Sequence, residues 1–497
     1  MHHHIRLTLA TAAAAALTGG LLAVAVGPAS ATGAAKAYDF NGDGYRDLVV
    51  GVPLGTANGF KEAGYVVVIP GSKSGLRTAD RRIVSQSTSG VPGDSEKGDE
   101  FGGHLAGADL NADGYADLVV VAPGEDAATS RNTGRITILW SGPKGFTGGT
   151  VLTGVQQGAG DGFDGVAIAD VTGDGKPDIV TADSGDEAAG VSVARGPFAP
   201  GATPAPLAHV SADIPNVSRN LRMGVGDIDG DGRADVAVSY NGGGRGGTTF
   251  LRGTSTGLVH TPSWDSETTA TAVAVADFDK DGHADVALGE ARFGAHDEEG
   301  WTPKQPLPAN RGGVVRVLYG STRGPAATRP PVDLVQGVGR VPGKDENSDM
   351  FGSALSAADI DGNGAADLAI GAAGEDIGSA YEAGNVTVLY GSGTGLTTTG
   401  AQSFDQGTAG VPGSNEYNDN FGGVNGSGLF LRDLNGDGRA DLSVAAPGED
   451  GYDGRAWTLT TAASGRVTGT GAISYTAGSL KLPAPIVRLA FGWVLGY

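Results

Sequence analysis

Seven short loops in the chain share a nine-residue pattern of oxygen-bearing side chains, and their first positions lie 50 to 82 residues apart. Aspartate occupies positions 1 and 9 of each loop, and glycine occupies position 6. Positions 3 and 5 are aspartate or asparagine in every loop but one. A hard divalent cation such as calcium takes six to eight oxygen ligands, and glycine permits the tight backbone reversal that gathers them. The pattern therefore predicts up to seven Ca2+ sites.

The loops are numbered one to seven in chain order, and side chains at positions 1, 3, 5 and 9 are the predicted metal ligands. They are Asp39, Asn41, Asp43 and Asp47; Asp109, Asn111, Asp113 and Asp117; Asp170, Thr172, Asp174 and Asp178; Asp227, Asp229, Asp231 and Asp235; Asp277, Asp279, Asp281 and Asp285; Asp359, Asp361, Asn363 and Asp367; Asp433, Asn435, Asp437 and Asp441. No ligand position holds histidine or cysteine, which disfavours zinc and copper.

A hairpin turn rich in Asp, Asn and Gly is the alternative interpretation of any single loop, because turns use the same residues. Retention of the fourth aspartate in all seven copies favours the metal site. Loops four and five carry four carboxylates each and are expected to bind more tightly. Loop three is the weakest candidate, because Thr172 stands at position 3 and Pro177 stiffens the approach to Asp178.

Short apolar runs bounded by Gly, Ser and Pro surround these loops and predict β-strands. No long segment with helical periodicity competes with them. The runs that recur in the same order are Asp47–Pro53, Tyr65–Ile69, Ile136–Trp140, Val314–Tyr319 and Val386–Tyr390. The many glycines, 87 in all, lie between such runs and mark turns. The sequence therefore predicts an all-β fold whose loops carry the acidic positions.

Two further signals flank several loops. A Phe-Gly pair precedes the loop at Phe101, Phe351 and Phe421, and a Gly-Ala-Pro-like segment follows it at Ala122–Gly124, Gly371–Gly374 and Ala446–Gly448. With these signals the chain resembles FG-GAP repeats, the units of the integrin α-subunit propeller and of many secreted bacterial proteins. The resemblance covers residues 38 to 497, although repeats three to five depart from it. It implies a seven-bladed β-propeller over residues 32–497, with about four strands per blade and the position-7 carbonyl as a further metal ligand.

The two ends of the repeat region complement each other. Phe491–Tyr497 resembles the strand that begins at Phe101, whereas loop one lacks a preceding Phe-Gly strand. The expected arrangement has the N- and C-terminal strands completing one blade and closing the ring. A frayed tail is the alternative.

The N-terminal 31 residues have the features of a secretory signal peptide. An apolar stretch from Leu7 to Val26 precedes Ala29-Ser30-Ala31, a small-x-small cleavage pattern. A membrane-spanning helix is the alternative, but Gly19 and Gly20 interrupt the run and no basic cluster follows. We expect a secreted, extracellular or cell-wall-associated monomer with no membrane span after removal of the signal.

The net charge and the lack of cysteine exclude some classes of partner and of chemistry. The formal net charge of -22 argues against binding to nucleic acid or anionic membranes through a basic patch. The chain has no cysteine, so it has no disulfide framework and no thiol chemistry. We expect a protein or a cell-surface polysaccharide as the partner.

A second acidic set occurs only in some repeats, at Glu125-Asp126, Glu375-Asp376 and Glu449-Asp450. Strand alternation places this set at the end opposite the metal loops. Two interpretations stay open: a surface for a cationic ligand or partner, or a solvated loop that tightens the junction between blades through hydrogen bonds between the glutamates and the backbone. The segment Ala291–Arg311 is the longest insertion, and it is either a partner-binding loop or a solvated excursion.

The predicted innermost strands carry little chemistry. They are Gly102–Ala106, Gly352–Ser356 and Gly422–Gly426, and His104 is the one titratable side chain among them. A histidine without an orienting partner is more often structural than catalytic, so no catalytic residues are predicted. The predicted function is a binding, adhesion or protein-interaction module in which calcium is mainly structural. A secreted hydrolase or lyase on the same scaffold is the alternative.

Overall fold

The computed structural model describes residues 35–126, 133–153, 163–184, 189–215, 219–242, 245–292, 311–485 and 488–496. These residues form 28 β-strands, one 3-10 turn at Thr78–Asp80 and one short helical turn at Glu449–Tyr452. The prediction of an all-β fold is confirmed. No described helix has the length and apolar character needed to cross a bilayer. The predicted signal peptide and most of the insertion after Ala291 lie outside the described residues.

The strands form four-stranded antiparallel units, here called sheets 1 to 7 in the order of their acidic loops; a parallel bridge between Gly313 and Phe351 joins sheets 5 and 6 into one eight-stranded sheet. Sheets 1 to 4 contain β28 (Val494–Leu495), β1 (Leu48–Val52), β2 (Tyr65–Ile69) and β3 (Arg82–Val84); β4 (His104–Ala108), β5 (Asp117–Ala122), β6 (Arg135–Trp140) and β7 (Gly148–Val151); β8 (Phe163–Ala169), β9 (Asp178–Asp183), β10 (Gly190–Ala194) and β11 (Ala208–Val210); β12 (Arg219–Gly226), β13 (Asp235–Gly242), β14 (Arg245–Thr254) and β15 (Gly257–His260). Sheets 5 to 7 contain β16 (Ala272–Ala276), β17 (Asp285–Ala291), β18 (Gly313–Leu318) and β19 (Val332–Leu334); β20 (Phe351–Ala358), β21 (Asp367–Ala372), β22 (Asn385–Tyr390) and β23 (Thr397–Phe404); β24 (Leu429–Arg432), β25 (Asp441–Ala446), β26 (Arg455–Thr461) and β27 (Val467–Thr476).

The second and third strands of sheet 1, β1 and β2, are apolar along their length because both faces of the sheet are covered. All five residues of Leu48–Val52 and all five of Tyr65–Ile69 are buried, which explains a continuous apolar run in place of alternation. The hydrophobic clusters lie between consecutive sheets: sheets 2 and 3, 3 and 4, 4 and 5, 5 and 6, and 6 and 7 each share one. Each sheet is therefore covered by its neighbours along the chain.

The cluster around sheet 1 joins three sheets. It contains Leu48 of sheet 1, Leu118 of sheet 2 and Phe430 of sheet 7. The ring of Phe430 lies edge-on to the ring of Tyr38, with centroids 5.3 Å apart. The last sheet in the sequence is therefore in contact with the first.

Sheet 1 takes its first strand from the C-terminal end of the chain. Val50 pairs with Leu495 and Gly51 with Val494, both antiparallel. The expectation that N- and C-terminal strands share a blade is therefore met in the pairing. The strand is shorter than predicted, because Phe491 and Gly492 lie in a turn that precedes it.

The phenylalanine of a Phe-Gly pair forms a backbone hydrogen bond with the preceding sheet. The N–H of Phe101 donates to the carbonyl of Ala63 at 3.0 Å, and Phe421 N–H donates to Ala383 at 2.9 Å. Phe491 repeats the contact with Asp453 at 3.1 Å. The phenylalanine thus marks a junction between sheets, and its position in the turn explains why the strand begins later.

One predicted strand is wrong in its position. Gly422–Gly426 forms turns, and the first strand of sheet 7 begins at Leu429. Gly422, Gly423, Gly426 and Gly428 all have positive φ values between 78° and 111°, a region that side-chain-bearing residues rarely adopt. This run of glycines is therefore incompatible with a strand.

Candidate metal centre

Each acidic loop occupies the same place in its sheet, immediately before the second strand. In all seven loops the position-6 glycine has a φ of 79° to 89° and turns the backbone back on itself. The position-1 carboxylate accepts the N–H of that glycine at 2.7 to 3.1 Å. It also accepts the N–H of position 5 at 3.0 to 3.2 Å. The predicted turn is therefore present in every copy, with its first ligand held in place by the backbone.

The position-9 aspartate anchors the loop to the sheet. It is at most 1% exposed in all seven loops. One oxygen accepts the N–H of position 2 and the other accepts an N–H at or just beyond the C-terminal end of the third strand, at distances of 2.6 to 3.2 Å. In loop six these donors are Ile360 and Gly391, paired with Asp367. A carboxylate offers about four lone-pair sites, so it retains acceptor capacity for a cation.

Burial raises the pKa of these anchoring carboxyls. The pKa rises to about 7 in six of them, Asp47, Asp117, Asp235, Asp285, Asp367 and Asp441. Desolvation is the main cause, and it outweighs the backbone N–H groups that lower the pKa. A buried carboxylate under this penalty gains most from a nearby cation.

Three loops bring carboxylates close enough to share one ion. The clusters are Asp227, Asp229 and Asp235 of loop four; Asp277, Asp279 and Asp285 of loop five; and Asp359, Asp361 and Asp367 of loop six. In each cluster, one oxygen from each residue lies within 4.8 Å of the others. These are positions 1, 3 and 9, and their all-oxygen donor set suits a hard divalent cation. The residues present therefore fit calcium in these three loops.

The position-5 side chain has a different partner in the described structure. One of its oxygens accepts the N–H of position 7 in all seven loops, for example Tyr45 N–H on Asp43 at 3.0 Å. Loops one, two and seven carry asparagine at position 3, so they hold fewer carboxylates than loops four and five and, unlike loop six, none at position 3. In loop three the Thr172 hydroxyl donates to Asp170 at 3.3 Å.

Arginines neutralise part of the charge in loops four and five. The Arg252 side chain pairs with Asp229 and, at 3.0 Å, with Asp231. Arg329 lies 3.4 Å from Asp279. A metal ion must compete with these guanidinium groups, which a count of carboxylates in the sequence does not reveal. Tighter binding by loops four and five stays a prediction.

Neighbouring loops are hydrogen-bonded to each other. The position-8 N–H donates to the position-1 carbonyl of the preceding loop, as in Ala366 to Asp277 at 2.8 Å and Ala440 to Asp359 at 3.0 Å. Loop three has Pro177 at position 8 and therefore no N–H to donate. The effect of this proline is thus the loss of a contact with loop two, beyond the local stiffening predicted from the sequence.

The second acidic set divides into buried and exposed members. Glu125, Glu375 and Glu449 are buried, and each accepts a hydrogen bond from the side-chain amide of a glutamine in the preceding sheet. Gln336 donates to Glu375 at 2.6 Å. The glutamates therefore lie in junctions between sheets, as one of the two interpretations proposed. The expected backbone partners are wrong: the carboxylates accept from glutamine side chains, and Glu125 and Glu449 also form ion pairs with Arg135 and Arg455. The neighbouring Asp376 is exposed.

The central cavity contains more titratable groups than the sequence predicted for the innermost strands. Its volume is about 750 Å³, and residues from the first strands of all seven sheets line it. His104 is one of them, but Asp164, Arg222 and Arg432 also line it, so His104 is not the one titratable group there. Burial and, to a smaller extent, the nearby Arg222 lower the pKa of His104 to about 4, so this imidazole is neutral at pH 7.

Two family models match the chain. The FG-GAP repeat model matches residues 31–69, 101–139, 269–316, 351–389 and 425–459, and the FG-GAP-like repeat model matches residues 210–288. The chain is an FG-GAP repeat protein. Six of the seven loops of this FG-GAP protein lie within the matched segments, and loop three lies outside them, where the sequence departs from the pattern.

Curated relatives share a part of the chain. Phosphatidylinositol-glycan-specific phospholipase D of Bos taurus is 32% identical over 144 residues, which cover 29% of this chain and 17% of that enzyme. The enzyme of the same name from Homo sapiens is 31% identical over 146 residues, again 17% of its length. The matched region thus spans less than a fifth of these relatives.

Solved structures give weaker likenesses. The Tc holotoxin pore of Photorhabdus luminescens has a TM-score of 0.35 at 14% identity, covering 81% of this chain and 16% of the toxin. The rhamnogalacturonan lyase PL11 of Bacillus licheniformis has a TM-score of 0.29 at 13% identity, covering 73% and 71%. TM-scores this low do not establish a shared fold.

Proposed function

We propose that this FG-GAP protein is an exported, calcium-stabilised, seven-bladed propeller that serves as a binding or adhesion module. Contacts between sheets 7 and 1 support a closed ring, because they repeat those between other neighbours. Tyr45 of loop one lies over Gly436 of loop seven, as Tyr115 of loop two lies over Gly42 of loop one. Closure leaves no open strand edge between the first and last sheets.

Calcium has a structural role in this proposal. Loops two to seven join the first two strands of their sheets, and the clustered aspartates of loops four to six repel each other without a cation. Extracellular calcium sites work at about 0.1 to 1 mM, which suits an exported protein. The position-7 carbonyl is the proposed backbone ligand, and bound calcium would balance the loop carboxylates.

The observation that carries the binding function is a set of exposed aromatic side chains at one end of the molecule. Phe60, Tyr381, Tyr417 and Tyr452 are 45%, 61%, 70% and 51% exposed. All four lie in connections at the end opposite the metal loops, in or beside sheets 6, 7 and 1. Asn418 N–H donates to the Tyr381 carbonyl at 3.0 Å, which holds two of these connections together. We call this surface the aromatic face.

Exposed aromatic residues are typical of protein interfaces, since they bury a large area at a low entropy cost. Exposed carboxylates at the same end, such as Asp376, Glu416 and Asp450, favour a partner with a basic surface. The proposed partner is therefore a protein with a cationic patch. A cell-surface polysaccharide is the other partner class to be tested.

The test compares retention of extracellular proteins and of cell-wall polysaccharide by the immobilised FG-GAP protein, with calcium and with chelator. The double variant Tyr381→Ala/Tyr417→Ala is expected to lose most of the captured protein, with an unchanged melting temperature. Val259→Ala, a substitution of a 51% exposed apolar side chain on the outer strand of sheet 4, serves as the control. Equal retention by all variants would reject the aromatic face, and retention of polysaccharide alone would reject the protein partner.

A secreted hydrolase or lyase is the second candidate. The observation that favours it is the group of titratable residues His104, Asp164 and Arg222 along the central cavity. Turnover of a glycan or phosphodiester panel that is abolished by His104→Ala, with folding intact, would support this candidate. Turnover that survives the substitution would reject this assignment.

A further inference from the structure

The central cavity has the size of a small-molecule site. Its volume of about 750 Å³ lies within the range of ligand pockets, roughly 300 to 1,000 Å³. The walls are mainly apolar, with Val166, Val275, Leu355 and Phe430 among the lining residues. Such a cavity selects ligands by a few polar groups placed along an apolar wall.

Two arginines are the cationic groups in this wall. Arg222 lies in β12 five residues before loop four, and Arg432 ends β24 immediately before loop seven. With a rise of about 3.3 Å per residue, they lie about 13 Å apart along the strand direction. The cavity therefore has one arginine toward the metal-loop end and one toward the opposite end.

Neither guanidinium forms an ion pair with a described residue. Arg222 donates to the carbonyls of Thr271 and Leu221 at 3.2 and 2.9 Å. Arg432 donates to the Leu431 carbonyl at 2.7 Å, and its guanidinium carbon lies 5.0 Å from the ring centroid of Phe430. Their positive charges thus remain available in a chain whose net charge is -22.

The two ends of the cavity differ in their acidic content. Asp164 and Glu100 line it with Arg222, and Asp164 accepts the N–H of Leu221 at 2.8 Å. At the level of Arg432 the lining residues are Tyr38, Phe430 and small or aliphatic side chains, without a carboxylate among the cavity residues there. An anion is therefore favoured at the Arg432 end.

We propose that the central cavity binds a small organic anion with an apolar body, and that Arg432 is its charge-recognising residue. The planar guanidinium pairs with a carboxylate or phosphate through two parallel hydrogen bonds. The apolar body lies against the inner strands. Arg222 and His104 contact the far, polar end of a longer ligand. This site is separate from the aromatic face and is distinct from the proposed partner binding.

The test is calorimetric titration of the full-length, calcium-loaded protein with 2-naphthoate, phenyl phosphate and the uncharged isostere 2-naphthamide. Saturable 1:1 binding of an anion is expected, at least about tenfold tighter than the amide, because hydrogen bonds to charged groups are the stronger ones. The two anions distinguish a carboxylate from a phosphate ligand. Trp493 also lines the cavity, so its fluorescence gives an independent signal.

Arg432→Gln is expected to weaken binding of the anion about tenfold or more and to leave the amide unchanged. Arg340→Gln is the matched control, because Arg340 is exposed and lies outside the cavity lining. Equal affinity of naphthoate and naphthamide, unchanged affinity in Arg432→Gln, or no saturable binding of either anion would overturn the proposal. The comparison of charged and neutral ligands needs no variant, so it decides the question even if Arg432→Gln does not fold.

Discussion

Replacing Asp367 of loop six by alanine separates its two roles, as an anchor of the loop and as a metal ligand. Loop six is chosen because its three carboxylates cluster and no described arginine pairs with them. Asp367 accepts the N–H groups of Gly391 at 2.6 Å and Ile360 at 2.7 Å, and it is fully buried. The partly buried N–H of Asp361 also donates to Asp367, at 3.2 Å, so the substitution leaves two buried donors and one partly buried donor without an acceptor.

The magnitude follows from the two buried hydrogen bonds. A buried donor without a partner costs about 1 to 3 kcal/mol, so Asp367→Ala should lower the free energy of unfolding by about 2 to 6 kcal/mol in chelator. Asp361→Asn is the matched control, because asparagine occupies the same position in loops one, two and seven. In chelator its effect should stay within about 0.5 kcal/mol.

The calcium dependence of stability tests the second role of Asp367, that of a metal ligand. At a concentration tenfold above the dissociation constant, one site contributes about 1.4 kcal/mol. Asp367→Ala should lose this increment, whereas Asp361→Asn keeps an oxygen ligand at position 3 and should retain at least part of it, measured by urea unfolding of each protein with calcium and with chelator. If Asp367→Ala unfolds like the wild type in chelator, the anchoring role is refuted. If Asp367→Ala keeps the full calcium increment, loop six is not a calcium site.

Three further predictions concern the rest of the fold. Phe491→Ala should lower the free energy of unfolding, measured in urea, by about 3 to 5 kcal/mol, because the ring is fully buried at the closing strand. Phe60→Ala should lower it little, because Phe60 is 45% exposed. Equal effects of the two substitutions would refute the packing role of the C-terminal strand. Glu375→Lys should lower the free energy of unfolding by about 3 to 5 kcal/mol, because it buries an unpaired charge. Asp376→Lys should leave the melting temperature nearly unchanged, because Asp376 is exposed. The reverse order of effects would contradict the role of Glu375 in the junction between sheets. Burial raises the pKa of Asp183 to about 6. The free energy of unfolding of the wild type should therefore fall by about 3 kcal/mol relative to that of Asp183→Asn as pH rises from about 4 to 6. A stability difference between the two proteins that does not change with pH would contradict this.

The acidic loops and their strands could be predicted because their signals are local. Seven copies of one nine-residue pattern indicate the turn, and the run after each position-9 aspartate is apolar because the second strand is covered on both faces. The glutamine partners of the second acidic set were not predictable in the same way. Gln336 and Glu375 are 39 residues apart and belong to different sheets, so their contact depends on how the sheets pack.

The arginines of the cavity could not be predicted from the Phe-Gly motif. Arg222 lies in a strand without a preceding Phe-Gly pair, and Arg432 lies in a strand that begins several residues after its Phe-Gly pair. Their alignment with His104 therefore could not be inferred from that motif. Counting back from the first aspartate of each loop places all three in the first strands and would have found both arginines.

The central claim is that calcium bound by the acidic loops stabilises the fold. Its most direct test is a calorimetric scan of the full-length protein in about 5 mM calcium and in chelator at matched ionic strength, with magnesium as the control ion. Calcium should raise the melting temperature by several degrees, since binding to the native state alone stabilises it. A melting temperature that is the same in calcium, magnesium and chelator would contradict the claim.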